Sequence, residues 1–290
     1  MEEHQLGNLN KNDMKNLKDF GFKTVNKTYI IAEIGINHNG DINLAKKMIE
    51  SAARSGVDAV KFQTYITEKR VPSDSPIFDI LKKCELPFDA FLELKLHAEK
   101  HNVEFFSTPF DNESIDYLES INVGMYKIAS FDIVNKNLLK RISLTSKPII
   151  LSVGMSNIDE INEAFNILSL NNKNIALLHC VSSYPTDEKD SNLSVISKLK
   201  ESFDCVIGQS DHTNNIKVPL YAVCCGAQIL EKHFMINDDM DCVDSPVSIT
   251  EKQMSELVKE TRRIEIIMGS QDLKTRECEK GALNFRRKTS

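Results

Sequence analysis

Two hundred and ninety residues allow either two ordinary domains or one architecture of about 250 residues around a single large core. With 41% hydrophobic and 27% charged residues the composition is that of a globular chain, which excludes a disordered, collagen-like or membrane-embedded protein. Against 42 Asp and Glu stand 36 Lys and Arg, a formal charge of −6. No overall basic field is therefore available for nucleic acid or a membrane surface, and an anionic ligand has to be held in a local pocket.

Residues 1–27 are polar and lysine-rich and lack the apolar core of a signal peptide. They read as an N-terminal extension, either a short helix or hairpin that plugs the base of the fold or a frayed tail. From Thr28 onward one rhythm repeats: a short β-branched apolar run, a few small or polar residues, then an amphipathic stretch. Strands are expected at Tyr29–Ile34, Ala59–Gln63, Val103–Ser107, Met125–Ala129, Pro148–Ser152, Ile175–His179, Cys205–Gly208 and Gln228–Lys232. Helices are expected at 42–55, 88–101, 112–120, 136–145, 157–168, 191–201, 216–226 and 250–267, with Asn157 and Thr250 as N-caps. Eight unbroken βα units predict an α/β fold, a closed (β/α)8 TIM barrel over 28–270 followed by a tail at 271–290. No dinucleotide fingerprint follows any strand. The long 65–90 connection carries Pro72 and Pro76 and reads as an excursion over the barrel mouth. Seven cysteines without a CxxC pair read as buried free thiols in a reducing cytoplasm, and no run approaches the roughly 18 apolar residues of a membrane span.

Chemistry in such a barrel sits where strands end. Glu33, Lys61, Gln63, Thr108, Lys127, Ser130, Ser152, Ser182, Tyr184, Ser210, His212, Glu231 and His233 all fall there. Two lysines among hydroxyls describe an oxyanion or phosphate pocket. His212 and His233 are one βα repeat apart and so would stand side by side, an arrangement suited to a divalent metal ion. His179 lies in an apolar run and reads as packing, whereas His38 in the glycine-containing loop is open to either role. Glu33 is a carboxylate inside an apolar strand and needs a partner or a proton-transfer task.

In order and spacing, IAEIGINHNG, VKFQTY, STPFD, YKIAS, ILSVGM, LLHCVSSYPT, GQSDHT and EKHF resemble the sialic acid (N-acetylneuraminate) synthase family, which includes pseudaminic and legionaminic acid synthases. The resemblance implies condensation of phosphoenolpyruvate with the open-chain aldehyde of an N-acylated hexosamine, N-acetylmannosamine or a 2,4-diacetamido sugar, releasing phosphate. It implies that His212 and His233 bind Mn2+, or Mg2+ or Co2+ in its place. Lys61, Thr108, Lys127, Ser130 and Ser152 would hold phosphoenolpyruvate, and Glu33 and Gln63 would face the reacting centre. Tyr184 and Asp244 would orient the sugar, with Phe110, Asp132, Ser182 and Ser210 completing the substrate-binding set.

KIASF and SSYP resemble the pseudaminic-type branch more than the sialic acid pattern. The resemblance also implies a homodimer and a small antifreeze-like domain that caps the partner's barrel. The sequence stops at Ser290, so the expectation is a cap encoded separately, lost, or dispensed with. Two alternatives accompany this reading. One is another phosphoenolpyruvate-dependent sugar-acid synthase acting on a phosphorylated sugar, for which Lys69, Arg70, Lys82 and Lys83 would supply the charge. The other is a catalytically silent barrel serving as a binding subunit.

Overall fold

A computed structural model describes residues 20–22, 27–270 and 272–287. Eight parallel strands close into a barrel in sequence order: β1 (Tyr29–Gly35), β2 (Ala59–Thr64), β3 (Glu104–Pro109), β4 (Tyr126–Ile128), β5 (Ile149–Ser152), β6 (Ile175–Cys180), β7 (Val206–Asp211) and β8 (Ile229–His233). β8 returns to β1 with Glu33 paired to His233, so both ends of the chain's repeat meet at one seam. The outer layer comprises α1 (Ile42–Ser55), α4 (Phe88–Lys100), α5 (Asn112–Ser120), α6 (Lys136–Ser143), α7 (Ile158–Ser169), α8 (Ser194–Ser202), α9 (Lys217–Cys224) and α10 (Glu251–Met268). Asn157 and Thr250 both cap their helices through reciprocal capping boxes. No described helix is long and apolar enough to cross a membrane.

Strand side chains alternate between faces, and this alternation builds the site. The outward set, including Ile30, Ala32, Val60, Phe105, Ile149 and Leu177, packs under the helices. The inward set begins as an apolar layer of Tyr29, Ile31, Ala59, Phe106, Met125, Ile150, Ala176 and Ile229, which Phe20 and Phe22 join. Those two phenylalanines are buried beneath the barrel; the remainder of the extension's expected helix or hairpin lies outside the described residues. One pleat further along the same faces stand Glu33, Lys61, Thr108, Lys127, Ser152, Ser210 and Glu231. A polar layer thus rests directly on an apolar floor.

The 65–90 connection carries α2 (Thr67–Arg70) and α3 (Phe78–Cys84). It has a small core of its own, where Ile36, Tyr65, Leu81 and Cys84 pack together. The loop after β1 fits against its far end: Gly40 has φ +77, and a Cβ there would sit 2.3 Å from the Lys83 carbonyl oxygen. All seven cysteines are free, as expected, but not all are buried: Cys84, Cys180 and Cys242 are, whereas Cys224 and Cys278 are exposed. Cys224 ends α9, where Ala222 and Val223 already take the inward positions.

Candidate active site

A cavity of about 350 Å³ opens at the carboxyl ends of the strands. Its floor is an ionic cluster. Lys61 Nζ stands 2.8 Å from Glu33 Oε2 and 3.6 Å from Glu231 Oε1, and Lys127 Nζ stands 3.4 Å from the same Glu231 oxygen. Lys61 also donates to Thr108 Oγ1 at 3.1 Å, and Ser210 donates to Glu231 at 3.1 Å. The lysines are 3% and 2% exposed, so they do not snorkel to solvent.

The two carboxylates diverge. Burial works to raise Glu231, but the Lys127 and Lys61 ammoniums outweigh it and hold this carboxylate well below its usual range. Burial dominates at Glu33 and raises its carboxyl despite Lys61, with the charge of Glu231 pushing the same way. Lys61 stays charged because Glu231 and Glu33 overcome its desolvation, whereas burial and Lys61 lower Lys127. Two lysines thus face one carboxylate held firmly ionised, Glu231, and a second, Glu33, whose ionisation burial opposes; both lysine heads lie at the cavity, where an anion can meet them. Ser152 Oγ, buried without a hydrogen-bond partner, and Ser130 Oγ, which accepts from the Gly154 N–H at 2.9 Å, flank it. Gly154 is required by crowding: a Cβ would lie 2.6 Å from Ser182 Oγ and 3.0 Å from the Cys180 carbonyl oxygen.

One wall is histidine. The His212 and His233 rings lie 5.3 Å apart, and Tyr184 covers His212 at 4.0 Å. Burial, helped by His233, pushes the His212 imidazole down to about 3, so it is neutral. Its Nδ1–H donates to the Val181 carbonyl at 2.8 Å, which leaves the Nε2 lone pair available. His233 Nδ1 is buried without a hydrogen-bond partner, 3.3 Å from Asp244 Oδ2. Burial would raise Asp244, but the neighbouring histidines hold it below the usual range. Neutral imidazole, an orphaned ring nitrogen and an ionised carboxylate are a donor set that fits a divalent cation. Elsewhere, Glu50, His97 and His101 are the only trio among the described residues whose ligand atoms all lie within 4.8 Å of one another, a group that could also hold a metal.

The opposite wall comes from β2 and the 65–90 excursion. Gln63 Nε2 donates to Glu33 Oε1 at 3.2 Å, and Arg70 Nη1 donates to Gln63 Oε1 at 3.0 Å. The Arg70 guanidinium lies over the Phe110 ring at 3.7 Å and the Tyr65 ring at 4.7 Å.

A profile described as the NeuB family matches residues 48–273. The chain belongs to the NeuB family. The N,N'-diacetyllegionaminic acid synthase of Campylobacter jejuni is 41% identical, over 91% of this chain and 84% of its own. The pseudaminic acid synthase of Helicobacter pylori is 35% identical, over 84% of this chain and 76% of its own. The crystal structure of N-acetylneuraminic acid synthetase from Leptospira borgpetersenii, solved with citrate, superposes with a TM-score of 0.88 at 40% identity, covering 90% of this chain and 92% of that one. Whole-chain identity to the legionaminic enzyme thus exceeds that to the pseudaminic one, although KIASF and SSYP resemble the pseudaminic pattern.

Most of the residues singled out in the sequence come together around this one cavity. Glu33, Lys61, Gln63, Thr108, Phe110, Lys127, Ser130, Ser152, Tyr184, Ser210, His212, His233 and Asp244 all line it. Asp132 and Ser182 stand off it: Asp132 accepts from the Asn135 side chain at 3.1 Å, and Ser182 packs behind Gly154. His38 stacks on Phe62 and His179 bonds the Ser191 carbonyl oxygen, so neither faces the cavity. Sequence reasoning gave no role to Glu231, which joins both lysines, nor to Arg70 as a wall residue. Charge inside the apolar run ILEKH was the available signal for Glu231.

Proposed function

We propose that the barrel condenses phosphoenolpyruvate with the open-chain aldehyde of an N-acylated hexosamine, giving a nonulosonic acid and phosphate. The observation that carries this reading is the buried floor, in which Lys61 and Lys127 both reach Glu231, Lys61 also reaches Glu33, and both lysine side chains line the cavity. An anion rich in oxygens is what such a floor stabilises, and Thr108, Ser130 and Ser152 supply hydroxyls around it. C3 of the enol forms the new bond to the aldehyde carbon, water adds at C2, and phosphate departs. Glu33, raised by burial, is the group whose proton can move during these steps, and Gln63 fixes its orientation. His212, His233 and Asp244 would hold a divalent ion, Mn2+ or a substitute, which supplies Lewis acidity toward the aldehyde oxygen. Tyr184, stacked on His212, orients the sugar against that wall. The similarity to the legionaminic acid synthase supports a 2,4-diacetamido hexose as acceptor and that to the N-acetylneuraminic acid synthetase supports N-acetylmannosamine, so both belong in the test.

A phosphorylated acceptor is less well served. Lys69 pairs with Glu113 and Lys82 with Glu68 at the surface, leaving Arg70 as the one cation of the 65–90 excursion on the cavity wall. The test is to incubate the protein with Mn2+, phosphoenolpyruvate and a panel of N-acyl hexosamines and to follow phosphate. Release that depends on the sugar is expected. Absence of release with every sugar, also after addition of an antifreeze-like domain in trans, would sink the proposal and leave a silent binding barrel.

A further inference from the structure

We infer that Arg70 is a specificity residue for the acceptor, binding the carbonyl oxygen of an acylamido substituent. Arg70 makes no ion pair among the described residues, although it lines the same cavity as Lys61 and Lys127. One guanidinium N–H is used on Gln63 Oε1, and stacking on Phe110 and Tyr65 fixes the plane of the group. The remaining donors have no hydrogen-bond partner among the described residues, and an immobilised fork of this kind recognises an oxygen acceptor.

Position selects which substrate. Gln63 follows Lys61 by two residues on the same face of β2, so Arg70 sits one layer above the lysine floor, toward the mouth. The floor has charge for the phosphorylated reactant; the layer above faces the second one. Phe110 stacks on Arg70, Ile77 and Phe131 line the same cavity, and the carboxylates that act on the guanidinium, Asp132, Asp244 and Glu33, form no ion pair with it. A single cation bordered by apolar side chains matches an amide: the carbonyl oxygen meets the guanidinium and the acyl methyl meets the hydrocarbon. A phosphate would call for several cations together, and the other loop lysines point elsewhere.

This inference rests on the synthase reading, and the experiment separates the two. Steady-state phosphate release is measured for the wild type, Arg70→Lys and Arg70→Leu with an acetamido acceptor and with its analogue lacking that acyl group. A charge-assisted hydrogen bond predicts about a 10- to 100-fold rise in acceptor KM for Arg70→Leu, a smaller rise for Arg70→Lys, and a phosphoenolpyruvate KM within about twofold. The wild-type preference for the acylated acceptor should largely vanish in Arg70→Leu. Equal loss on both acceptors, or a shift confined to phosphoenolpyruvate, overturns the inference while leaving the synthase intact. Thermal melting of each variant checks that the fold persists. A wild type inactive on all acceptors overturns the synthase reading itself.

A separate observation points to a second metal site on the outer layer. We propose that Glu50, His97 and His101 bind one transition-metal ion that clamps α1 to α4. His97 lies in the last turn of α4 and His101 caps its carboxyl end four residues on, and their Nε2 atoms lie 3.0 Å and 3.9 Å from Glu50 Oε1. Ligands about 2.0–2.1 Å from a tetrahedral ion are roughly 3.3 Å from one another, so small side-chain adjustments suffice. The two rings are 4.7 Å apart, and one ligand atom from each of the three residues lies within 4.8 Å of the other two. Nickel is the probe, since imidazole pairs bind it well. The metal-stripped full chain should take up one more equivalent of Ni2+ than the His97→Ala/His101→Ala double variant, and Ni2+ should raise its melting temperature more. Identical stoichiometry in the two proteins refutes the site. Glu50→Gln should weaken the extra equivalent about 10-fold; no weakening excludes Glu50 as a ligand.

Discussion

At the scale of single residues, polar groups in this barrel differ in whether burial is compensated. Glu231 is compensated twice over, whereas His38 is not: it is 1% exposed, its Nδ1 accepts from the Gly40 N–H at 3.1 Å, and its Nε2 has no partner. Desolvation therefore pushes the His38 imidazole down to about 4. Between pH 6.5 and 4 the unfolded chain takes up a proton at this residue and the folded chain does not. The stability it supports is complete above pH 6.5 and is lost as pH falls through that window, by about 3 kcal/mol in total. Denaturant titrations of the wild type and His38→Gln should therefore show a gap between the two proteins that shrinks or reverses from pH 7 to pH 4. A gap of constant size would mean that His38 does not titrate differently in the two states.

At the scale of elements, local chemistry and tertiary packing can be separated at α10. Thr250 Oγ1 accepts from the Gln253 N–H at 3.4 Å, and Gln253 Oε1 accepts from the Thr250 N–H at 2.9 Å, so the first turn is closed from both sides. Thr250→Ala removes half of that arrangement at a cost of about 1 kcal/mol, equivalent to about 2–4 °C in melting temperature for a domain this large. Thr250→Ser should melt like the wild type; an Ala variant that does so too would show that packing alone sets the helix start. Caps of this kind are why the helices were legible: Asn157 and Thr250 are local signals read directly from sequence. The strands were legible for a related reason, since a β-branched run between polar stretches fixes where a strand begins. Their carboxyl ends were less so. β7 runs on through Gln209, Ser210 and Asp211, polar residues that stay in the ladder because β6 and β8 both pair with the first two and β8 pairs with Asp211. Arg70 was invisible as a site residue because its place depends on how α2 and α3 fold over the mouth, which no periodicity in 65–90 encodes. Glu231 was missed because its partners Lys61 and Lys127 come from β2 and β4, and only barrel closure brings them to β8.

At the scale of the whole molecule, closure also reconciles a net charge of −6 with a cavity floor that holds two buried lysines. The inward alternation of eight strands concentrates Lys61 and Lys127 at one depth, with Glu33 and Glu231 as their carboxylate partners at the same level. The seam where β1 meets β8 is thus both the last step of the architecture and an edge of the site. Asn37 holds it from above: fully buried, it donates to the Phe234 carbonyl at 3.0 Å and to Ser248 Oγ at 2.9 Å, and accepts from the Asp244 N–H at 2.9 Å. Those three bonds join the turn after β1 to the loop after β8, and one of them anchors the backbone of the carboxylate that faces His233. Asn37→Ala strips partners from buried groups that cost about 1–3 kcal/mol each when left unsatisfied, so an overall loss of about 3 kcal/mol is expected by urea unfolding. Freed Asp244 should also weaken divalent-ion binding at the mouth by about 10-fold, measured by titrating Mn2+ into the folded variant, because outer positioning bonds commonly carry that much metal affinity. A variant that loses stability while its Mn2+ affinity stays unchanged would show that the seam supports the barrel alone and that Asp244 is positioned from within its own loop.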